Sequence, residues 1–191
     1  KDIQFTFIVS KKEMKQFHID SMLQLLAPSS NVISVNNETQ GALCSVLLAI
    51  DSINVNEQLI ISNFDQMFSE SVNLNHVIRH FEKARTSAGV ITFESVHPRW
   101  SFIRANDMGD VVESAEKNPI SRHAIAGFYF FQKASLFFDA AFNVIRFDNM
   151  INNKFYISST LNELILNNNK VTHYDIKANE YFNFYESHKI N

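Results

Sequence analysis

The carboxylate of Asp65 stands where an apolar run gives way to polar residues. The run that begins at Leu59 is typical of a strand buried on both faces, as in a parallel sheet. Ligands of open α/β sheets bind beyond the carboxyl ends of such strands. Asp65 could therefore ligate Mg²⁺ through one oxygen, with water and phosphate oxygens completing the octahedron. The alternative is a surface aspartate that caps the next segment.

Two further groups could hold a ligand. Glu116 and Lys117 follow a predicted strand, where a carboxylate and an ammonium could grip hydroxyls and a phosphate; a solvated charge pair is the alternative. In His97-Pro-Arg-Trp100, Arg99 suits phosphate recognition and Trp100 suits stacking on a ring. An anchored turn with a buried Trp explains the second group equally well.

Other reactive side chains give weaker signals. His76 and His80 are four residues apart on a predicted helix, a spacing that can bind zinc. However, no HExxH pattern or neighbouring Cys/His cluster completes such a site. Cys44 lies among apolar residues of another predicted helix, which favours a core position over a nucleophile.

Composition narrows the class of protein. The chain has 191 residues, a net charge of −3 and 46% hydrophobic residues, which predicts a globular domain rather than a disordered segment or a nucleic-acid binder. A single cysteine fits a reducing cytoplasm. No apolar run approaches the roughly 18 residues that a membrane span needs. With only 4 Gly, the chain lacks both common glycine-rich phosphate loops.

The predicted elements alternate between strand and helix in the first half of the chain. Such alternation predicts a mainly parallel sheet flanked by helices, because parallel strands need crossover connections. A first strand over Gln4–Val9 and one helix over Lys11–Leu26 begin the pattern. Gly41 opens a helix that runs to about Ile53, and strands at Val111–Glu116 and His123–Phe131 follow later. Since no linker or repeat is visible, we predict a single domain over residues 1–191.

Taken in order, these segments resemble the sugar-phosphate nucleotidyltransferase family. The resemblance rests on a glycine that opens a helix, a strand that ends in an aspartate, a Gly-Val strand, a Glu-Lys-Pro element and a Gly-x-Tyr-x-Phe strand. They correspond here to Gly41–Ala49, Leu59–Asp65, Ala88–Phe93, Val112–Pro119 and Ala126–Phe131. The resemblance implies a three-layer α/β/α fold with a mostly parallel mixed sheet, close to glycosyltransferase type A.

A narrower resemblance is to a bacterial branch of capsule and surface-polysaccharide pathways. It rests on Thr-x-Gly-Ala, Asn-x-Asp-Gln, His-Pro-Arg-Trp-Ser-Phe and Glu-Lys-x-Pro-Ile-Ser. These motifs correspond to Thr39–Ala42, Asn63–Gln66, His97–Phe102 and Glu116–Ser121.

The chain also departs from the family pattern. Gln4–Val9 resembles the family's second strand, so the first strand and its triphosphate loop would lie ahead of Lys1, and we expect an N-terminally incomplete domain. The 191-residue chain alone would then be inactive. The family's second metal-binding aspartate corresponds to Asn183, which can ligate a metal but carries no charge.

The resemblance implies transfer of a nucleoside monophosphate from a nucleoside triphosphate to a sugar phosphate or another small phosphorylated acceptor, with release of pyrophosphate. The implied roles are catalysis and Mg²⁺ binding for Asp65, metal binding for Asn183, nucleotide binding for Gly41 and Asn63, and acceptor binding for Glu116, Lys117, Gly127, Arg99 and Trp100.

Two other functions remain open at this point. One is a glycosyltransferase of the same fold that holds a nucleotide sugar through Asp65 alone. The other is a non-catalytic binding or assembly module that has lost its donor loop. The aromatic strand Phe128–Phe131 could pack against a second copy of the chain in a homo-oligomer, although core packing explains it as well.

Overall fold

The computed structural model describes residues 3–184. Both ends of the predicted 1–191 domain therefore lie outside the described residues. The strands are β1 (Thr6–Ser10), β2 (Asn31–Val35), β3 (Leu59–Ser62), β4 (Gln66–Phe68), β5 (Ala88–Glu94), β6 (Ser101–Ala105), β7 (Val111–Glu116), β8 (His123–Phe131), β9 (Val171–Ile176) and β10 (Tyr181–Asn183). The α-helices are α1 (Lys11–Phe17), α2 (Ile19–Leu26), α3 (Ala42–Leu47), α4 (Leu74–Lys83), α5 (Ala134–Arg146) and α6 (Ser159–Leu166).

The main sheet has the strand order β7-β6-β8-β5-β9, and β3 also pairs with β8. β5 and β9 are parallel, whereas β8 runs antiparallel to β3, β5 and β6. It follows that β3, β5, β6 and β9 share one direction, while β7 and β8 run against them. The sheet is therefore mixed, with most strands in one direction, which confirms the predicted α/β class.

Helices cover both faces of this sheet, so the predicted three layers are confirmed. On one face, α3, α5 and α6 bury side chains against Val90, Tyr129 and Phe131. On the other face, α4 buries Phe81, whose ring stacks on that of Phe130 at 5.4 Å. Each fully buried aromatic side chain of this kind stabilises the fold by about 1.5–3 kcal/mol.

β8 is the central strand, and Ala124–Phe131 are buried without interruption. A continuous apolar run of this kind suits a strand that is covered on both faces. Because the rings of Phe128–Phe131 are buried within the chain, they form no surface for a second copy, and core packing is the correct explanation of this aromatic strand.

The structure corrects the prediction for the first helix. The segment Lys11–Leu26 forms two helices, since His18 adopts a left-handed conformation with φ of 51°. A residue in that region breaks the regular hydrogen-bond ladder of a right-handed helix. Both helices lie in the connection between β1 and β2, which form a separate two-stranded parallel sheet.

Two other elements differ from the prediction. β3 is not buried on both faces, because it pairs along the side of β8 and leaves Ile60 42% exposed. α3 ends at Leu47 rather than near Ile53, since the chain tightens into bonds such as Ala49 N–H to the Val46 carbonyl at 3.0 Å. A 3₁₀ turn over Ile50–Ser52 follows. Within residues 3–184, none of the helices has the length and apolar character required to span a bilayer.

Candidate functional site

A small second sheet places Asp65 beside Asn183. β4 and β10 pair antiparallel, with Asn183 opposite Gln66. The Phe184 N–H donates to the Asp65 carbonyl at 2.9 Å, which extends the pairing past the strand ends. The backbone at Asn183 thus runs alongside the Asp65–Gln66 segment, although the two stretches are far apart in the sequence. We call Asn63, Asp65, Gln66 and Asn183 the Asp65 half of the site.

The hydroxyl of Tyr181 lies between the members of this half. It donates to Gln66 Oε1 at 3.0 Å, and its ring packs against Phe93 at 4.7 Å. Burial raises the pKa of Tyr181 to about 12; the hydrogen bond with Asn183 lowers it, and the negative charge of Asp65 raises it further. Tyr181 therefore remains a neutral hydrogen-bond donor in this site at neutral pH.

Gly127 supports the Asp65 half from the central strand. Its carbonyl accepts the Asn63 backbone N–H and Gln66 Nε2, both at 3.1 Å. Gly127 has a φ of +59°, and a Cβ there would lie 2.3 Å from Gln66 Oε1 and 2.9 Å from Asn63 Nδ2. The left-handed φ favours glycine here, and an added Cβ would also displace the ends of two amide side chains. The ends of the Asn63 and Gln66 side chains lie over Gly127 in this structure.

A second group surrounds Glu116. The Ser101 hydroxyl donates to Glu116 Oε2, and the Ser158 hydroxyl donates to the same oxygen at 2.8 Å. Nearby, burial raises the pKa of the Tyr129 hydroxyl, and the negative charge of Glu116 raises it further. The carboxylate is therefore held in one orientation by neutral donors. We call Ser101, Glu116, Lys117 and Ser158 the Glu116 half of the site.

Lys117 projects beyond β7 at an unusual backbone position. Its φ is 53°, and its N–H donates to the Trp100 carbonyl at 3.0 Å. The ammonium lies 5.3 Å from the centre of the Tyr156 ring, within the range of a cation–π contact. The left-handed turn separates the directions of Glu116 and Lys117, so the exposed cation sits at the rim and the half-buried carboxylate behind it.

Trp100 connects the two halves. Its ring contacts Tyr181 at 5.7 Å edge to face, while its carbonyl binds Lys117. The guanidinium of Arg99 lies 5.7 Å from the Trp100 ring, and Arg99 Nε donates to His97 Nδ1 at 3.3 Å. The turn is therefore anchored, with a Trp100 that is partly rather than fully buried, and the role of Arg99 and Trp100 in ligand binding stays a prediction.

Gly41 has a structural requirement of its own. Its φ is +112°, and a Cβ there would lie 2.3 Å from the Phe155 carbonyl oxygen. The Phe155 N–H also donates to the Gln40 carbonyl at 2.7 Å. The segment that packs on Gly41 continues through Tyr156 to Ser158, so Gly41 supports the residues behind Lys117 and Glu116.

Sequence reasoning missed several members of the site. They are Gln66, Ser101, Tyr129, Tyr156, Ser158 and Tyr181. Gln66 and Ser101 were within reach, because they belong to the Asn-x-Asp-Gln and His-Pro-Arg-Trp-Ser-Phe motifs. The others come from separate parts of the chain and carry common residue types, so only tertiary contacts reveal them.

The site combines side-chain oxygens that could bind a metal ion, from Asp65 and Asn183, with the ammonium of Lys117, which could bind an anion. The Asp65 carboxylate and the Asn183 side-chain oxygen are ligand types that Mg²⁺ accepts, usually with water and substrate phosphates filling the remaining positions. Asp65 would supply the one negative charge of such a pair, since Asn183 is neutral. The Glu116 half offers a fixed carboxylate for hydroxyl groups and a nearby ammonium for a phosphate.

Three solved structures are similar to this chain over most of its length. A nucleoside-diphosphate-sugar pyrophosphorylase from Vibrio cholerae matches with a TM-score of 0.79 and 21% identity, covering 95% of this chain and 76% of its own. The inositol-1-phosphate CTP transferase from T. maritima matches with a TM-score of 0.70 and 12% identity, covering 98% and 72%.

A putative glucose-1-phosphate thymidylyltransferase from Bacillus anthracis matches with a TM-score of 0.69 and 18% identity, covering 90% of this chain and 67% of its own. No family model matches the sequence, and no curated protein matches it either. At these identities the comparisons establish one property: the chain shares its fold with nucleotidyltransferases.

Proposed function

We propose that this chain forms a nucleotidyltransferase domain that joins a nucleoside monophosphate to a small phosphorylated acceptor and releases pyrophosphate. The observation that carries the proposal is the pairing of β4 with β10, which brings the backbone at Asn183 alongside Asp65 and Gln66. Trp100 links this pair of strands to the Glu116 half, because its ring contacts Tyr181 and its carbonyl accepts the Lys117 N–H. The similar structures are named for a sugar 1-phosphate, an inositol 1-phosphate and nucleotide sugars. We therefore propose a sugar or polyol phosphate as the acceptor.

In the proposed reaction, an acceptor phosphate oxygen attacks the α-phosphorus of a nucleoside triphosphate in line. One P–O bond forms to the acceptor, and the bond to the departing pyrophosphate breaks. The protein contributes mainly by positioning the reactants and stabilising developing charge. Asp65 and Asn183 would hold Mg²⁺, which supplies Lewis-acid stabilisation of phosphate charge when bound.

The other residues bind the two reactants. Glu116, oriented by Ser101 and Ser158, accepts hydrogen bonds from acceptor hydroxyls, and Lys117 attracts the acceptor phosphate. Arg99 and Trp100 form one wall. On the nucleotide side, we assign nucleotide binding to Asn63 and Gly41, as the family resemblance implies. From the narrower resemblance, we propose a role in capsule or surface-polysaccharide biosynthesis in the cytoplasm.

The test is pyrophosphate release by the full-length protein with Mg²⁺, a panel of nucleoside triphosphates, and glucose 1-phosphate or inositol 1-phosphate. We expect release only when both substrates are present. Asp65→Asn should lower the rate at least about 100-fold, because it removes the charged ligand at the reacting phosphates. Asp107→Asn is the matched control, since Asp107 lies in the exposed turn between β6 and β7.

Two results would contradict the proposal. Asp65→Asn could retain the full rate, which would remove Asp65 from the mechanism. Alternatively, the protein could hydrolyse a nucleotide sugar and never release pyrophosphate, which would favour the glycosyltransferase alternative.

A further inference from the structure

Three metal-ligating side chains converge at the end of the main sheet, outside the site described above. His123 begins β8, and His173 and Asp175 lie two residues apart on β9. Because alternate residues of a strand point to the same face, His173 and Asp175 share a face of the sheet. Across β5, Glu94 pairs with His123 and Thr92 pairs with Asp175, which brings the three side chains together.

The ligand atoms are close to the spacing of a metal site. Nδ1 of His123 lies 3.0 Å from Asp175 Oδ1, and Nδ1 of His173 lies 3.3 Å from the same oxygen. All three ligand atoms lie within 4.8 Å of one another. In a tetrahedral zinc site with bonds of about 2.0–2.1 Å, ligand atoms are about 3.3 Å apart. Two of the three spacings therefore already match this value, and the third is no greater than 4.8 Å.

A buried neighbour holds the carboxylate in place. The Thr92 hydroxyl, which is fully buried, donates to Asp175 Oδ1 at 2.6 Å. Outer-shell hydrogen bonds of this kind orient metal ligands in known sites. Two of the three residues, His123 and Asp175, line an open surface cleft of about 640 Å³, which is also bordered by Glu94, Arg122, Lys177 and Glu180. The nearby cation of Arg122 is paired with Glu94 at 2.7 Å, so its charge is compensated.

We propose that His123, His173 and Asp175 form a site for a divalent transition metal, with Zn²⁺ the best match. Two imidazole nitrogens and one carboxylate oxygen are a donor set typical of zinc, and three protein ligands leave the fourth position to water from the cleft. The site is separate from the Asp65 half. It links β8 to the end of β9, from which the chain runs directly to Tyr181 and Asn183.

The test is metal binding to the full-length protein after treatment with a chelator. Zn²⁺ is titrated against a chromophoric competitor, bound metal is counted by elemental analysis, and Co²⁺ serves as a spectroscopic substitute. We expect one equivalent of Zn²⁺ at micromolar concentration and the intense visible Co²⁺ bands of a four-coordinate site. His123→Ala and Asp175→Asn change partly exposed residues and should each weaken binding at least about tenfold.

Two further variants distinguish zinc binding at His123, His173 and Asp175 from nonspecific binding by other histidines. Thr92→Val keeps the shape and removes the hydrogen bond, so it should weaken binding about tenfold. The double variant with His76→Ala and His80→Ala is the control, because that helical pair could bind metal by itself. The proposal is overturned if no stoichiometric Zn²⁺ binds, or if binding survives His123→Ala and Asp175→Asn but disappears in the helical double variant.

Discussion

The Asp65 half rests on two three-residue strands, whereas the Glu116 half rests on the main sheet and on the buried residues at the start of α6. In the Glu116 half, a carboxylate accepts two hydroxyl donors in a fixed geometry. In the Asp65 half, positions are set by β4–β10 pairing and by the flexible amides of Asn63 and Gln66 lying over Gly127.

The two halves differ in which part of the molecule fixes the positions of their side chains. The Glu116 half is pre-organised by the core, so little freedom is lost when an acceptor binds. The Asp65 half contains short strands in which Met67 and Phe182 are exposed, which places it among the segments of lower local stability. In the proposed reaction, a bound metal and phosphate would complete the order of the Asp65 half.

The largest effect on stability should come from Gly41→Ala, because Gly41 packs against the segment that leads to Ser158 in the Glu116 half. The added Cβ meets the backbone of Phe155, which cannot rotate away, and φ is +112°. We expect a loss of about 3 kcal/mol or more in the free energy of unfolding, measured by urea denaturation. A loss no greater than that of Gly109→Ala would show that the support is not needed, because at Gly109 an added Cβ meets open space.

Glu116→Gln should act on acceptor binding rather than on folding. The amide oxygen can still accept from Ser101 and Ser158, but the negative charge that binds acceptor hydroxyls is gone. A hydrogen bond to a charged group contributes about 1.5–3 kcal/mol, so the KM for the acceptor should rise about 10- to 100-fold. Glu113→Gln is the control on the same strand, since Glu113 pairs with Arg104 at the surface. Equal changes in both variants would contradict the assigned role.

Gly127→Ala should disturb the Asp65 half with a smaller effect on stability than Gly41→Ala. The new methyl group meets the ends of two flexible side chains, which can move. The left-handed backbone should cost about 1–2 kcal/mol, close to the cost at Gly109, where φ is +81°. Metal-dependent nucleotide binding, followed by calorimetry, should weaken in Gly127→Ala and stay unchanged in Gly109→Ala. Unchanged binding in both variants would show that the amides of Asn63 and Gln66 need not lie over β8.

The smallest effect concerns the titration of Tyr181. Its pKa is raised from 10.0 to about 12, so the folded state favours the protonated phenol. The resulting stabilisation is complete below pH 10 and disappears as the pH rises towards 12. Asp65→Asn removes a charge that raises this pKa, so the phenol should ionise at lower pH. The pKa of Tyr181 can be followed by carbon NMR of labelled tyrosine, with Tyr181→Phe to assign the signal. If Asp65→Asn leaves this pKa unchanged, the charge of Asp65 does not act on the Tyr181 hydroxyl.

Local patterns were sufficient for the core of the fold. The uninterrupted apolar run at β8 and the hairpin of β6 and β7 are visible in the sequence, because burial and turn chemistry act over neighbouring residues. The split at His18 was not predictable, since one left-handed residue leaves the helical periodicity of the flanking residues intact.

The site was predictable only in part. Motifs indicated Asp65 and Glu116, but β4 and β10 are too short to leave a periodic signal and pair across a long stretch of chain. The hydroxyls around Glu116 come from Ser101 and Ser158, whose residue type is common at any surface. The cluster of His123, His173 and Asp175 depends on strand order, which periodicity does not encode.

The most direct test of the central claim, that Asp65 and Asn183 together hold a metal next to the nucleotide, is paramagnetic broadening by Mn²⁺ in place of Mg²⁺. In isotope-labelled protein with a nucleoside triphosphate present, the amide signals of Asp65, Gln66, Asn183 and Phe184 should broaden first, and Asp65→Asn should abolish the effect. Broadening confined to the turn at Asn106–Gly109 or to the strand at His173–Asp175, with the signals of Asp65 and Asn183 unchanged, would contradict it.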